Sequence, residues 1–150
     1  MGAQNKGHAM PSTILVAEDD PDDRFLMGRA FRELDIRAVL RFVGDGEELM
    51  RYLAGDDAGE DSEERFSPPG LLFLDLNMPK KDGREVLLAI RSNPRFRDLT
   101  IVVWTTSNHS ADKAFCKKNG ASSYVTKPHT YTELVKALQK VVGEWLPLSD

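Results

Sequence analysis

Leu71-Leu72-Phe73-Leu74 is an unbroken apolar run that stops at Asp75, with Pro68-Pro69-Gly70 before it and Met78-Pro79 after it. Four consecutive apolar residues between turn signals predict a short strand buried on both faces. Strands of that kind belong to parallel sheets covered by helices on each side, so this stretch narrows the chain to the α/β class. Asp75 falls at the carboxyl end of the strand, the edge where open α/β sheets build their sites. By itself Asp75 could equally begin a turn, a common place for aspartate.

The rest of the chain repeats the pattern. Thr13-Ile14-Leu15-Val16-Ala17 predicts a first strand ending in Glu18-Asp19-Asp20. Pro21 suits the first position of a helix, with Asp20 as its N-cap and Asp22 and Asp23 in its first turn. That helix runs to about Leu34, with Leu26, Met27, Ala30, Phe31 and Leu34 on one face. Ala38 to Val43 is a second strand, Gly44-Asp45-Gly46 a turn, and Glu47 to Leu53 a short helix. Residues 54–70 are rich in Asp, Glu, Gly, Ser and Pro, which predicts a solvated acidic surface loop. After the Asp75 strand, Lys80-Lys81-Asp82-Gly83 forms a loop, and a third helix carries Val86, Leu87 and Ile90 inward until Asn93-Pro94 stops it. Ile101 to Trp104 is a fourth strand leading into Thr105-Thr106-Ser107, and a fourth helix spans about Ser110 to Lys118, closed by Asn119-Gly120. Ser122 to Thr126 is a weakly apolar fifth strand suited to a sheet edge, ending in Lys127-Pro128. Thr130-Tyr131-Thr132-Glu133 is a capping box for a fifth helix reaching about Trp145. Five strands alternating with five helices predict a doubly wound (βα)5 parallel sheet of flavodoxin-like strand order 2-1-3-4-5. Residues 1–11 form a flexible lead-in and 12–150 one domain, with no second domain expected after Asp150.

Composition removes several function classes. A net charge of −4 argues against a binder held to nucleic acid by phosphate neutralisation. No apolar run approaches the length of a membrane span, and the polar N-terminus lacks a secretion signal's apolar core. The one cysteine, Cys116, cannot form an intramolecular disulfide, which suits a reducing cytoplasm; its place in a helix predicts a packing thiol. The three histidines, His8, His109 and His129, show no metal-ligand spacing.

A parallel sheet puts the carboxyl ends of all its strands on one edge, so Glu18-Asp19-Asp20, Asp75, Thr105 and Lys127 should meet there. Each has an ordinary explanation alone: Asp19 as a helix-start acid, Thr105 as a strand residue, Lys127 as a surface cation. Together they predict more. Carboxylates crowded at neighbouring strand ends repel unless a cation neutralises them, and Mg2+ takes oxygen ligands of this kind. With Lys127 as a fixed positive charge and Thr105 as a hydroxyl, the set forms a pocket for a phosphoryl group, and a carboxylate nucleophile would give an aspartyl-phosphate.

From about Pro11 to Trp145 the sequence resembles the receiver domains of two-component response regulators, whose motifs recur here in order and spacing. The resemblance implies that Asp75 is the phosphoacceptor, that Asp19 ligates Mg2+ directly and Glu18 through water, and that Asn77 supplies a backbone carbonyl to the metal. It implies a switch hydroxyl at Thr105, an aromatic switch at Tyr124 and a phosphate-binding Lys127, followed by a Lys127-Pro128 step that is usually cis. Asn77 and Ser107 stand where the family tunes loss of the phosphoryl group, and Thr106 replaces a commoner Ala or Gly. More narrowly, Thr105-Thr106-Ser107, the acidic insertion, Asp82 to Leu87, Tyr124 to Pro128 and the Trp145-Leu146 ending resemble the single-domain regulators paired with bacterial phytochrome kinases. The resemblance then implies phosphoryl transfer from a sensor histidine kinase, a bacteriophytochrome, and a switched face of fourth helix, fifth strand and fifth helix. Apolar residues Leu134, Val135, Leu138, Val141, Val142, Trp145 and Leu146 suggest homodimerisation through that region. An aspartate-nucleophile phosphatase would want an acid where Asn77 stands, a nucleotide-binding protein would want a phosphate-binding glycine loop that is absent, and a receiver-like binding module would not need the full acidic set.

Overall fold

The computed structural model describes residues 12–55 and 68–146. Five parallel strands, β1 (Ser12–Ala17), β2 (Ala38–Val43), β3 (Leu71–Leu74), β4 (Thr100–Thr105) and β5 (Ser123–Thr126), form one sheet in the order β2-β1-β3-β4-β5. Five helices connect them: α1 (Pro21–Glu33), α2 (Gly46–Ala54), α3 (Gly83–Arg91), α4 (Ser110–Lys118) and α5 (Tyr131–Trp145), with a 3-10 turn at Pro94–Phe96. The expected flavodoxin-like order is the observed one, and β5 takes the edge, pairing only with β4. Residues 1–11 and most of the acidic 54–70 stretch lie outside the described residues.

β3 has the centre of the sheet, paired with β1 on one side and β4 on the other. All four of its side chains are buried, and the period-two alternation of a strand divides them between the layers. Leu72 and Leu74 pack with Leu49, Leu53, Val86, Leu87, Ile90 and Cys116 under α2, α3 and α4. Leu71 and Phe73 pack with Met27, Phe31, Trp104, Leu134 and Leu138 under α1 and α5. Phe73 meets both Phe31 and Trp104 edge-on, at centroid separations of 6.3 and 5.4 Å, the arrangement that aromatic quadrupoles favour. Cys116 is fully buried and burial pushes its thiol up to about 11, so it is the packing group expected.

Helix starts follow short-side-chain caps. Asp20, Asp45, Asp82 and Thr130 each accept a backbone N–H from the first turn of α1, α2, α3 and α5. The Asp45 and Asp82 caps start α2 at Gly46 and α3 at Gly83, a residue or more ahead of the hydrophobic periodicity. At the other end of α2, Ala54 is helical rather than part of the acidic loop, because Gly55 at φ 89° closes the helix in the left-handed region. Ser122, expected in the fifth strand, precedes it: its N–H donates to Ile101 O at 2.8 Å, but the Ile101 N–H turns to the Ser122 hydroxyl rather than to a backbone carbonyl. Lys127-Pro128 is also corrected. No peptide bond among the described residues is cis, so the step is trans, the isomer favoured for X–Pro.

Two glycines set up a test of packing. Gly83 approaches β3 so closely that a Cβ would fall onto the Asp75 carbonyl oxygen and the Leu76 Cα. Gly143, on the exposed side of α5, has nothing within 4 Å of such a Cβ. Gly83→Ala should therefore destabilise by about 1–3 kcal/mol through overpacking, whereas Gly143→Ala should stabilise by about 0.5–1 kcal/mol through helix propensity. Urea unfolding of the two variants measures both, and equal shifts would disprove the close approach at Gly83.

Candidate functional site

Hydrogen bonding of the sheet continues past the ends of its strands, and this places the site. Glu18 N–H donates to Val43 O at 2.9 Å, Asp75 N–H to Ala17 O at 3.3 Å, and Lys127 N–H to Thr105 O at 2.7 Å. Side chains that leave the sheet at its carboxyl edge are thus still held in register by neighbouring strands. Arg24 Nε also donates to Glu18 O at 2.6 Å, fixing the β1–α1 connection from its outer side.

Lys127 organises the charges. Its Nζ donates to Glu18 Oε1 and, at 3.0 Å each, to Asp75 Oδ2 and Asp23 Oδ2. Glu18 and Asp75 are 2% and 5% exposed, so two of these carboxylates are nearly removed from water. Burial opposes the Lys127 ammonium, but the hydrogen bond to Glu18 and the charge of Asp75 outweigh it and hold the pKa above that of an ordinary lysine. For Glu18 the balance falls the other way: burial raises its pKa more than the hydrogen bond from Lys127 lowers it. The remaining oxygens are held by backbone, with Asp20 N–H on Glu18 Oε2 and Asn77 N–H on Asp75 Oδ1, each at 3.0 Å.

Asp19 is exposed at the rim, and one carboxylate oxygen from each of Glu18, Asp19 and Asp75 lies within 4.8 Å of the others. With Asp23, three carboxylates contact the Lys127 ammonium and Asp19 adds a fourth at the rim, leaving the cluster with more acids than its lysine balances. An all-oxygen donor set with excess negative charge and one solvent-facing member fits a hard divalent cation such as Mg2+ or Mn2+ better than a metal that prefers imidazole or thiolate.

Thr105 and Tyr124 are joined to one another through Ser107. The fully buried Thr105 hydroxyl accepts from Ser107 N–H at 3.3 Å, and Tyr124 Oη donates to Ser107 O at 2.9 Å. Ser107 Oγ donates to Asp112 Oδ2 at 2.6 Å. Asp112 is in turn gripped by Arg84, with Nε on Oδ1 at 2.9 Å and Nη2 on Oδ2 at 2.8 Å. The Arg84 and Ser107 hydrogen bonds hold the Asp112 carboxyl below its usual range, and burial raises Tyr124. Asn77, Arg84, Thr106, Ser107, Asn108, His109 and Asp112 line an open mouth, of which Asn77 is the member bonded to Asp75.

The structure therefore brings Glu18, Asp19, Asp75 and Lys127 together, seats the Asn77 backbone on Asp75, and collects Thr105, Tyr124 and Ser107 into a second cluster. Sequence reasoning gave Asp23 only a helix-start role and missed Arg84 and Asp112. The Arg84–Asp112 pair joins residues 28 apart and has no local signal.

Residues 14–139 match the response regulator receiver domain. Response regulator Rcp1 of Synechocystis is 35% identical over 136 residues, covering 91% of this chain and 90% of Rcp1. The crystal structure of the phosphorylated cyanobacterial phytochrome response regulator RcpA superposes with a TM-score of 0.81 at 33% identity, covering 91% of this chain and 94% of RcpA. The Mn2+-bound form of Rcp1 also gives 0.81, at 34% identity over 93% of this chain and 98% of the other. Phytochrome response regulators are thus among its structural relatives, and the chain belongs to the response regulator receiver domain family.

Proposed function

We propose that this receiver domain, taken as residues 12–150, accepts a phosphoryl group on Asp75 from a phosphohistidine of a sensor histidine kinase. The observation that carries this is the meeting of Asp75 with Lys127 at 3.0 Å beside Glu18 and Asp19, on an edge open through the mouth at Asn77 and Thr106. Structural relatives named as phytochrome and bacteriophytochrome response regulators support a bacteriophytochrome as the kinase. A Mn2+-bound relative supports divalent-cation dependence.

In the transfer, an Asp75 oxygen attacks phosphorus, a new O–P bond forms, and the N–P bond to the donor imidazole breaks with its electron pair going to nitrogen. Lys127 is placed to follow the charge from the Asp75 carboxylate to the phosphoryl oxygens without leaving Glu18. Mg2+, held by Asp19, Asp75 and the Asn77 carbonyl with Glu18 acting through water, would neutralise charge on the entering group. The Thr105 hydroxyl then turns from Ser107 N–H toward the phosphoryl group, which frees the loop that Tyr124 holds. Such a change reaches α4, β5 and α5 as a shift between two arrangements of one surface. Asn77 and Ser107 flank the mouth, where their side chains govern the approach of hydrolytic water and hence the phosphoryl lifetime.

Self-association through α4, β5 and α5 belongs to this proposal, but its apolar basis is narrower than the sequence suggests. Leu134, Leu138, Val141, Val142 and Leu146 are all buried in the chain's own core, and Trp145 at 36% is the large α5 hydrophobe left exposed. Light scattering on the chain with and without beryllofluoride should show dimer formation weakened by Trp145→Ala; a strict monomer in both states removes this part.

Incubation with acetyl phosphate and Mg2+ should add one phosphoryl mass to the wild type and none to Asp75→Asn, and chelation should suppress the gain. No gain in a folded wild type would reject the phosphoacceptor function in favour of a binding module.

The crowded acids give an independent check. Because Glu18 has a folded pKa above its ordinary value, its charge opposes folding once pH rises through the unfolded carboxyl range, and the full penalty is present above the folded pKa. Relative to its effect near the ordinary carboxyl pKa, Glu18→Gln should raise the melting temperature at pH 7, where the wild-type carboxylate is charged against its burial. The gain should shrink as pH falls toward the ordinary carboxyl pKa. Millimolar Mg2+ should stabilise the wild type by mass action and Asp19→Asn less.

A further inference from the structure

Ser107 has every polar group engaged. Its N–H is on Thr105 Oγ1, its carbonyl receives Tyr124 Oη and, at 3.4 Å, Thr126 Oγ1, and its hydroxyl accepts the His109 N–H at 3.3 Å and donates to Asp112. The last of these bonds leads away from the site. Asp112 lies in the first turn of α4 and is held by both nitrogens of an Arg84 fork projecting from the first turn of α3, while Arg84 Nη1 adds contacts to Asp82 at 3.2 Å. A bidentate guanidinium–carboxylate pair fixes orientation as well as distance. The Asp112 side chain is 14% exposed and that of Arg84 31%, so the pair is shielded more than a surface ion pair.

Thr105 cannot turn toward a phosphoryl group on Asp75 while its hydroxyl stays on Ser107 N–H. Moving it draws on the loop at Ser107, and the Ser107 hydroxyl and carbonyl resist through Asp112 and Tyr124. We propose that Arg84 and Asp112 are positioning residues for phosphoryl acceptance: through Ser107 they latch the β4–α4 loop in the unphosphorylated arrangement, and the latch opens when Thr105 engages the phosphoryl group. The inference rests on the phosphoacceptor function proposed above. It gives α3 and α4 a part in setting how readily the site fills, in addition to the Thr105–Tyr124 connection.

The direction of the effect separates this latch from plain electrostatics. Arg84 is a cation beside a mouth that admits anions, so charge alone predicts that Arg84→Gln weakens anion binding. A latch broken in the occupied state predicts the reverse, since removing it shifts the equilibrium toward the filled arrangement.

The test is beryllofluoride affinity at fixed Mg2+, followed by amide chemical shifts on the full chain. This stable phosphoryl mimic makes the measurement independent of hydrolysis. Arg84→Gln and Ser107→Ala should each bind about three- to tenfold more tightly than wild type. The double variant should gain no more than Ser107→Ala alone, because Arg84 acts on the loop through the Ser107–Asp112 bond that Ser107→Ala already removes. Arg84→Lys, which keeps the charge and loses the fork, should fall between wild type and Arg84→Gln. Equal or weaker binding by Arg84→Gln and Ser107→Ala, or additive gains in the double variant, overturns the latch while leaving the phosphoacceptor function standing. A wild type that binds no beryllofluoride overturns that function and the latch with it. Should Arg84→Gln fail to fold, Ser107→Ala, which leaves the ion pair intact, decides the matter alone.

Discussion

The parallel ladder of β3 is the constraint from which the site follows. β3 is four residues long and buried on both faces, so its backbone groups have only β1 and β4 to bond with. Parallel pairing in that register leaves no freedom over where the strands end: Ala17 and Leu74 are opposite one another, and Glu18 and Asp75 emerge side by side. The bond from Asp75 N–H to Ala17 O carries the constraint one residue beyond the strand. An acid on a flexible loop would relax away from a second acid. Here the sheet holds both in place, and the repulsion is built in.

Lys127 answers part of that repulsion, and its limits explain the character of the site. One ammonium serves Glu18, Asp23 and Asp75, with Asp19 adding further negative charge at the rim. Desolvation leaves Glu18 a weaker acid than usual even with Lys127 in contact. The edge is therefore short of positive charge and open at one side, a state that a divalent cation would relieve. Stability lost here is recovered beneath it, where the two layers of side chains flanking β3 form the core.

Most of this layout could be read from the sequence, for identifiable reasons. Unbroken apolar runs gave the central strands, and the polar residue closing each run gave the site, because parallel pairing converts four ends into one edge. Helix starts shifted where Asp45 and Asp82 capped their helices ahead of the hydrophobic periodicity. The apolar excess of α5 was legible as composition but its destination was not: five of those residues face the core. Asp23 and the Arg84–Asp112 pair escaped because their meaning depends on which helix ends the fold sets side by side. A charged residue in a helical first turn has an adequate local explanation, so sequence offers no reason to seek a distant partner.

Two arginines on α3 show how the same residue type serves opposite ends of the sheet. Arg91, in its last turn, donates to the carbonyls of Gly120, Phe96, Arg97 and Leu99, joining the segments that enter β4 and β5. Those acceptors are backbone, and a Cβ at Gly120, whose φ is 94°, would collide with the Arg91 side chain, so the fit is tight as well as polar. Arg84, in the first turn, holds a side-chain carboxylate that holds a side-chain hydroxyl. Breaking the first arrangement would take one donor from four backbone carbonyls at once, two of them in part-buried bonds. Opening the second requires only rotamer changes at Ser107 and Asp112, with water able to replace each lost bond at the mouth. A helix secured through backbone at one end and through side chains at the other provides a rigid base for the sheet and a yielding contact beside the site.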